Sequence, residues 1–171
     1  TKDMGPVRDD RVFVPLAERK EQKIYGDVMT WRGVNFILFI AKPLRLLLVQ
    51  WINKKDLEGM KLAVLKLCNI IQSKGFIIQE ITVDPARELA GLQGHIPYNI
   101  VPVGSRTHVA DAEVKIRIIK ERLRCSTIGT PFNVPRRIVR WQVYACVKAA
   151  NTMLRPGQTV SARESFSGVK P

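Results

Sequence analysis

Three stretches rich in aliphatic and β-branched residues follow one another so closely that they restrict how this chain can fold. They cover Lys23–Met29, Val34–Ala41 and Arg45–Trp51. The gap before the second stretch ends in Gly33, and the gap before the third contains Pro43. Because gaps this short cannot hold a crossover connection, the sequence predicts three antiparallel strands joined by hairpins.

The remainder of the chain alternates helical and β patterns. A helix is predicted after the third strand, with Asp56 as its N-cap and Gly75 as its C-cap. The elements predicted after it are a strand at Phe76–Val83, a short helical stretch to about Gly91, a strand at Tyr98–Val103, and helices at His108–Arg124 and Pro135–Leu154. Three hairpin-linked strands, followed by two that return through helical crossovers, build a five-stranded mixed sheet flanked by helices. This is the layout of the α/β ribonuclease H-like fold.

The predicted helix at His108–Arg124 has two distinct faces. At about 100° per residue, one face is an apolar stripe that we expect to be buried, formed by Val109, Ala112, Ile116, Ile119 and Leu123. Beside it, a single carboxylate heads a line of three cations, in the order Glu113, Arg117, Lys120 and Arg124. These residues alone leave two interpretations open. The face is either a solvated surface with a Glu113–Arg117 ion pair, or a metal-binding carboxylate followed by cations that lie along a phosphate backbone.

The charge balance indicates a polyanionic partner. The chain of 171 residues has 28 Lys and Arg against 15 Asp and Glu, a formal net charge of +13, and its cations are spread along its whole length. Nucleic acid is the expected partner, and an anionic membrane surface is the lesser alternative. No apolar run approaches the ~20 residues of a membrane span, so we expect a soluble intracellular protein with no membrane contact.

Cysteine and histidine are too few and too dispersed for the common zinc sites. The isolated Cys68, Cys125 and Cys146 are predicted to be buried free thiols in a reducing compartment. His95 and His108 are the only histidines, so a zinc finger with the usual ligand spacing cannot form.

Two aspartates lie on neighbouring strands of the predicted sheet. Asp27 falls within the first strand and Asp84 directly follows the fourth. Each has an ordinary structural interpretation, because Asp27 suits a polar position near a hairpin and Asp84 before Pro85 suits a helix N-cap. If both converge with Glu113, their mutual repulsion calls for a cation between them. An all-oxygen site favours Mg²⁺ or Mn²⁺, and a pair of such ions supports in-line phosphoryl transfer.

Two motifs carry a family resemblance. The segment HVADAEVKIRIIKERLR, together with SARESFSGVKP near the end of the chain, resembles the integrase catalytic core of copia-like LTR retrotransposons. In that family a motif of the form HVPEVERxIRxIKERxR is followed downstream by S-P-R-E-x-x-x-G-x-K. The resemblance covers about Ile24 to Lys170 and implies a DDE-type, metal-dependent polynucleotidyl transferase. Such an enzyme trims the 3′ ends of element DNA and then joins the 3′-hydroxyls to target DNA phosphates.

The resemblance also implies roles for single residues. Asp111 stands where the motif has its first acid, which makes it a rival of Glu113 as the third ligand. Arg124 continues the line of cations that begins at the two DNA-contacting positions of the motif. The matching positions are Asp27, Asp84 and Glu113 for the catalytic metal-binding triad, and Arg117 and Lys120 for DNA contact.

Domain organisation and partners follow from the same reasoning. We expect residues 1–21 to form a leader or linker, 22–155 the catalytic core and 156–171 its C-terminal tail. DNA is the expected partner, the nucleus the expected compartment for integration, and a homo-oligomer the expected assembly. The apolar side of the last predicted helix is expected to contain Ile138, Trp141, Val143, Ala145, Cys146 and Ala149. Trp141 belongs either to a dimer face or to the core. Two alternative functions remain open: another ribonuclease H-like nuclease, and a catalytically silent core that binds nucleic acid.

Overall fold

A five-stranded mixed sheet organises the fold in the computed structural model, which describes residues 20–84, 88–103, 109–128, 130, 134–154 and 157–168, with only the backbone given for 109–112. The strands are β1 (Glu21–Trp31), β2 (Val34–Lys42), β3 (Leu46–Ile52), β4 (Ile77–Val83) and β5 (Ile100–Pro102). The α-helices are α1 (Leu57–Gln72), α2 (Val109–Ile128), α3 (Arg136–Thr152) and α4 (Ala162–Ser167), and a 3₁₀ helix covers Glu88–Leu92. The strand order is β3-β2-β1-β4-β5.

The pairing of the strands confirms the predicted layout. β1 pairs with β2, and β2 with β3, in antiparallel hairpins. β4 returns through α1 to lie parallel to β1, and β5 lies parallel to β4. Three antiparallel and two parallel strands therefore form the mixed sheet, with β1 at its centre.

Each face of the sheet is covered by its own apolar core. On one face, Ile24 and Val28 of β1 pack with Phe39 of β2 and with Leu67 and Ile71 of α1. On the other face, the buried residues come from β1, β2, β3, α2 and α3, including Met29, Phe36, Leu38, Val49, Ile116, Ile119, Leu123, Val139 and Val143. The predicted apolar stripe of α2 is thus confirmed at its three positions whose side chains are described. Val109 and Ala112 lie outside the described side chains.

The ends of α1 differ in how well the sequence predicted them. Asp56 is the N-cap as predicted, because its Oδ1 accepts a hydrogen bond from the Gly59 N–H at 2.8 Å. The predicted C-cap at Gly75 is wrong, since α1 ends at Gln72 and its C-cap is Ser73. Gly75 adopts φ +77° in the turn that follows, a conformation that suits glycine.

The buried face of α3 differs from the one that its apolar residues indicated. Ile138, Trp141, Ala145 and Ala149, expected on the apolar side, are exposed, while Val143 is buried as expected. The stripe that packs on the sheet repeats every four residues, as Val139, Val143, Val147 and Asn151. Trp141 is 73% exposed, so its interpretation as a core residue is wrong.

Polar side chains of α3 satisfy the outer edge of β3. Leu47 donates its N–H to Oδ1 of Asn151 at 2.8 Å and accepts from Nδ2 of the same side chain at 2.7 Å. The N–H of Trp51 donates to the Tyr144 hydroxyl at 3.1 Å. These bonds satisfy backbone groups on an edge strand, which would otherwise be available to pair with another chain.

A short helix near the end of the chain, α4, was not predicted. Ser161 and Glu164 form a reciprocal capping box at its start, and both side chains are buried. Phe166 stacks on Phe76 with ring centroids 5.7 Å apart, and Ala162 packs on the same core. α4 therefore covers part of the core beneath α1.

The cysteines differ in burial. Cys68 is buried, and the loss of solvation raises the pKa of its thiol to about 12. Cys146 is partly buried, which also raises its pKa. The prediction that all three are buried is wrong for Cys125, which is exposed on α2. No helix in the described ranges is both long and apolar enough to cross a membrane.

The packing of α2 on the sheet gives a stability prediction. Ile119 is fully buried between α2 and the sheet, so we expect Ile119→Ala to lower the free energy of unfolding by about 2 to 4 kcal/mol through lost contacts and a cavity. Val114→Ala on the same helix is the matched control, because Val114 is 40% exposed, and a loss of about 0.5 kcal/mol or less is expected there. Urea unfolding of both variants measures the difference. Equal losses would contradict the position of α2.

Candidate active site

Asp27 lies in the middle of the central strand, on the face that α2 covers. Successive side chains of a strand point to opposite faces, so Asp27 shares the face of Tyr25 and Met29, while Gly26 and Val28 belong to the other. Asp27 is only 6% exposed, and its Oδ1 accepts a hydrogen bond from the Val28 N–H at 2.7 Å. The strand therefore holds a nearly buried carboxylate against α2.

Gly26, the residue before Asp27, lies where a side chain would be crowded. A Cβ atom on Gly26 would lie 3.0 Å from Cε1 of Phe39 and 3.4 Å from Cδ1 of Leu89. Both of these side chains are buried in the core under α1. The absence of a side chain at Gly26 lets that core close behind the strand at the level of the aspartate.

Asp84 directly follows β4, the strand that lies parallel to β1. The last pair between these two strands joins Gly26 to Val83, the residues directly before Asp27 and Asp84. The alternative interpretation of Asp84 as a helix N-cap involves residues 85–87, which lie outside the described residues.

Glu113 and the three predicted cations line one cavity with Asp27. The cavity has a volume of about 290 Å³ and runs between β1 and α2, and we call it the Glu113 groove. Its lining residues are Asp27, Val28, Glu113, Ile116, Arg117, Lys120 and Arg124. Glu113, Arg117 and Arg124 are exposed and Lys120 is partly buried, as predicted for the face next to the apolar stripe.

The ion pair between Glu113 and Arg117 does not form. Within the described part of the chain, Glu113 has no salt-bridge partner. The first interpretation of this helix face, a surface pair between these two residues, is therefore wrong. Glu113 instead faces the same cavity as the buried carboxylate of Asp27.

The structure does not bring the three predicted acids together as a metal-binding cluster among the described residues. Among the described residues, no three His, Cys, Asp or Glu side chains lie close enough together to hold a metal ion. Asp27 and Glu113 share the groove, whereas Asp84 is not among the described residues that line it. The side chain of Asp111, the rival ligand, lies outside the described side chains. The donors present are carboxylate oxygens, which suit Mg²⁺ or Mn²⁺.

Comparison with known proteins identifies the fold. No family model and no curated protein matches the sequence. Among solved structures, the BIV integrase catalytic core domain matches with a TM-score of 0.59 at 13% identity, over 84% of this chain and 92% of that one. The HTLV-2 integrase catalytic core domain, in complex with magnesium and in a trimeric form, matches with a TM-score of 0.60 at 14% identity, over 88% and 97%. The chain has the ribonuclease H-like fold of integrase catalytic cores. A likeness at such low identity shows the fold alone.

Sequence reasoning missed a second, larger cavity on the same face of the sheet. It has a volume of about 680 Å³ and lies where β1 begins and β2 ends. Three of its lining residues are cations, namely Lys23, Lys42 and Arg45. Lys23 and Lys42 are direct partners in the β1–β2 hairpin. A predicted antiparallel register would have placed these two cations side by side and so indicated the cavity.

Proposed function

We propose that this chain is the catalytic core of a metal-dependent polynucleotidyl transferase, which trims DNA 3′ ends and joins them to target DNA. The observation that carries the proposal is the Glu113 groove, in which a buried Asp27 and Glu113 face one cavity together with three cations. The integrase-core fold and the family resemblance support the same reaction. A retrotransposon of the copia-like class is the source we propose, with the nucleus as the place of integration.

Asp27, Asp84 and Glu113 are the residues that would hold Mg²⁺ or Mn²⁺. When bound, a pair of such ions activates the attacking hydroxyl and stabilises the leaving oxygen of an in-line phosphoryl transfer. The last pair between β1 and β4 lies directly before Asp27 and Asp84, and the apolar stripe of α2 fixes the helix that carries Glu113. The chain would contribute three carboxylates, one within β1, one directly after β4 and one on α2.

The cations of α2 would hold the DNA backbone beside these acids. Arg117, Lys120 and Arg124 line the groove with Glu113, and the rise of the helix from Glu113 to Arg124 is about 16 Å. Phosphate oxygens accept hydrogen bonds from such side chains, and each contact releases counterions. A backbone bound along this line would bring a phosphodiester to Asp27 and Glu113.

One observation favours a second candidate function, a catalytically silent core that binds nucleic acid. The three acids do not form a closed metal-binding group among the described residues. The basic groove would bind a nucleic-acid backbone whether or not the chain is catalytically active. A ribonuclease H-like nuclease differs again, because it uses only water as the nucleophile, whereas a strand-transfer enzyme also uses a DNA 3′-hydroxyl.

Catalysis is tested with Asp84→Asn. We expect the wild type to join or disintegrate branched DNA in Mg²⁺ or Mn²⁺, and we expect Asp84→Asn or added EDTA to lower the rate by about 100-fold or more, because a ligand or the metal is lost. Asp56→Asn is the matched control, since asparagine caps α1 nearly as well as aspartate and Asp56 is not among the described residues that line the groove.

The products separate the candidates. Joined strands support the transferase, and hydrolysis without joining supports another nuclease of this fold. No metal-dependent product from the wild type, with DNA binding intact, identifies a silent core. Equal rates in the wild type and Asp84→Asn would remove Asp84 from the site.

DNA binding through α2 is tested with Lys120→Ala. We expect affinity to fall by a similar factor for unrelated DNA sequences, and the slope of log K against log salt to fall by about 0.9, because one phosphate contact is lost. Lys66→Ala on the opposite side of the sheet is the control and should change neither quantity. Fluorescence anisotropy over a salt series measures both. A loss confined to one sequence would indicate base contact instead.

The exposed stripe of α3 is the surface we propose for self-association. Trp141 and Ile138 are 73% and 41% exposed, and they lie on one face with the exposed Ala145 and Ala149. An apolar stripe of this kind is typical of a helix that packs against a partner. The similar HTLV-2 core was solved in a trimeric form.

Trp141→Glu tests this assembly. Sedimentation velocity is expected to show the wild type as an oligomer and Trp141→Glu shifted towards monomer, because a charge replaces the largest exposed apolar side chain of the stripe. Ile128→Glu, which changes an 83% exposed residue at the end of α2, should leave the distribution unchanged. A monomeric wild type, or an oligomer that both variants preserve, would contradict the assignment.

A further inference from the structure

The cavity at the start of β1, which we call the Lys42 pocket, continues the site along the central strand. Tyr25 and Lys23 lie two and four residues before Asp27 and point to the same face of the sheet. At about 3.3 Å per residue, Lys23 is about 13 Å from Asp27, with Tyr25 between them. The Lys42 pocket and the Glu113 groove are therefore lined by neighbouring positions of β1, Lys23 and Tyr25 in the pocket and Asp27 in the groove.

The rim of the Lys42 pocket is held firmly by the turn between β2 and β3. Leu44 in that turn is buried in the core under α1, and its N–H donates to Oε1 of Gln22 at 3.1 Å. Gln22 itself is fully buried. The next residue, Arg45, has φ +58°, a conformation that arginine adopts only at some cost. Backbone strain of this kind persists where the surroundings fix it, and it is concentrated at functional sites.

The charges of the Lys42 pocket favour an anion. Its described lining contains Lys23, Lys42 and Arg45 and the carboxylate of Glu21, and the Glu80 carboxylate beside the lining pairs with Lys23. Glu21 accepts a hydrogen bond from Nε2 of Gln79 at 2.8 Å. The Lys42 ammonium lies 4.7 Å from the centroid of the Tyr25 ring, which orients it over the floor of the pocket.

Lys23 stays charged in this setting. Its ammonium lies 2.9 Å from Oε1 of Glu80, and the hydrogen bond raises the pKa of Lys23 above its ordinary value. The group is therefore protonated throughout the neutral range. Its side chain is 52% exposed, so it remains accessible from the pocket.

We propose that the Lys42 pocket binds the sugar–phosphate backbone of the same nucleic acid whose reacting end lies in the Glu113 groove. The inference rests on the DNA-binding part of the proposed function and not on its chemistry. The distance of about 13 Å from Asp27 to Lys23 corresponds to about four nucleotides at 3.4 Å each. The pocket acts as a clamp on the flanking strand, with Lys42 and Arg45 as its phosphate-binding residues.

A backbone suits the pocket better than a small anion does. At about 680 Å³ the cavity is much larger than a phosphate ion, and its cations are contributed by two strands and a turn instead of converging from one element. Side chains arranged in this way contact successive phosphates without reading bases. The binding should be independent of sequence.

The experiment compares two double variants of the whole chain. The test variant is Lys42→Ala with Arg45→Gly, in which glycine accepts the positive φ and so preserves the turn. The matched control is Lys66→Ala with Arg32→Gly, because Arg32 also has a positive φ, 46°, and lies at the opposite end of β1. Binding to a labelled DNA duplex of about 20 base pairs is measured by anisotropy over a salt series without divalent metal. Thermal unfolding midpoints verify that both variants are folded.

The expected result is a loss of affinity on the order of tenfold for the test variant and a salt slope smaller by about 1.8, for two lost phosphate contacts. The control should stay within about twofold of the wild type. Equal losses in both variants would show a general effect of net charge and overturn the proposal. An unchanged DNA affinity in the test variant would overturn the proposal too. The same holds for a test variant that loses binding to phosphatidylserine vesicles but keeps its affinity for DNA.

A further variant distinguishes a failure of the clamp from a failure of the proposed function. Arg117→Ala with Lys120→Ala removes contacts in the Glu113 groove. If this variant loses DNA affinity while the Lys42 pocket variant does not, the clamp is wrong and the groove stands. If the pocket variant loses affinity but the wild type has no metal-dependent activity, the clamp stands and the chemistry is wrong. A wild type that does not bind DNA overturns both.

Discussion

The pleat of β1 is the constraint on which the rest of the structure depends. This strand is paired on both sides, so a slip of one residue would break two ladders at once. Its alternation sends Ile24 and Val28 into the core under α1 and turns Asp27 towards α2. The same slip would bury the aspartate in an apolar core and bring a side chain to the position of Gly26, where a Cβ would lie 3.0 Å from Cε1 of Phe39. Register, core and site are therefore specified together.

Stability alone does not explain an aspartate at the centre of such a strand. Burying a carboxylate is costly unless hydrogen bonds or opposite charges compensate. Asp27 accepts a hydrogen bond from the Val28 N–H, and the cations of α2 line the cavity that it faces. An apolar residue would fill the same position without needing this compensation. The arrangement is understandable if the carboxylate serves a ligand in the groove.

The sequence predicted those parts of the fold in which local pattern and packing agree. Alternation and short gaps predicted the hairpins, helical spacing predicted the buried stripe of α2, and Asp56 marked the start of α1. The prediction of α3 was wrong because its apolar residues form two stripes, and the one that packs includes Asn151. Asn151 is buried because it bonds both backbone groups of Leu47, a partner 104 positions away that no local pattern shows. The Lys42 pocket was missed for a similar reason, since its cations converge only through strand pairing and a turn.

The Glu113 groove separates its charges along its length. The stripe of Ile116, Ile119 and Leu123 fixes the rotation of α2, so packing and not electrostatics sets the position of Glu113 above Asp27. Two carboxylates facing one cavity repel each other, and this repulsion favours a cation between them. Arg117, Lys120 and Arg124 do not relieve this repulsion by pairing with Glu113. They extend the groove as a basic surface instead. An acidic end next to a basic track suits a polyanion brought to a bound cation, and it does not suit a small neutral ligand.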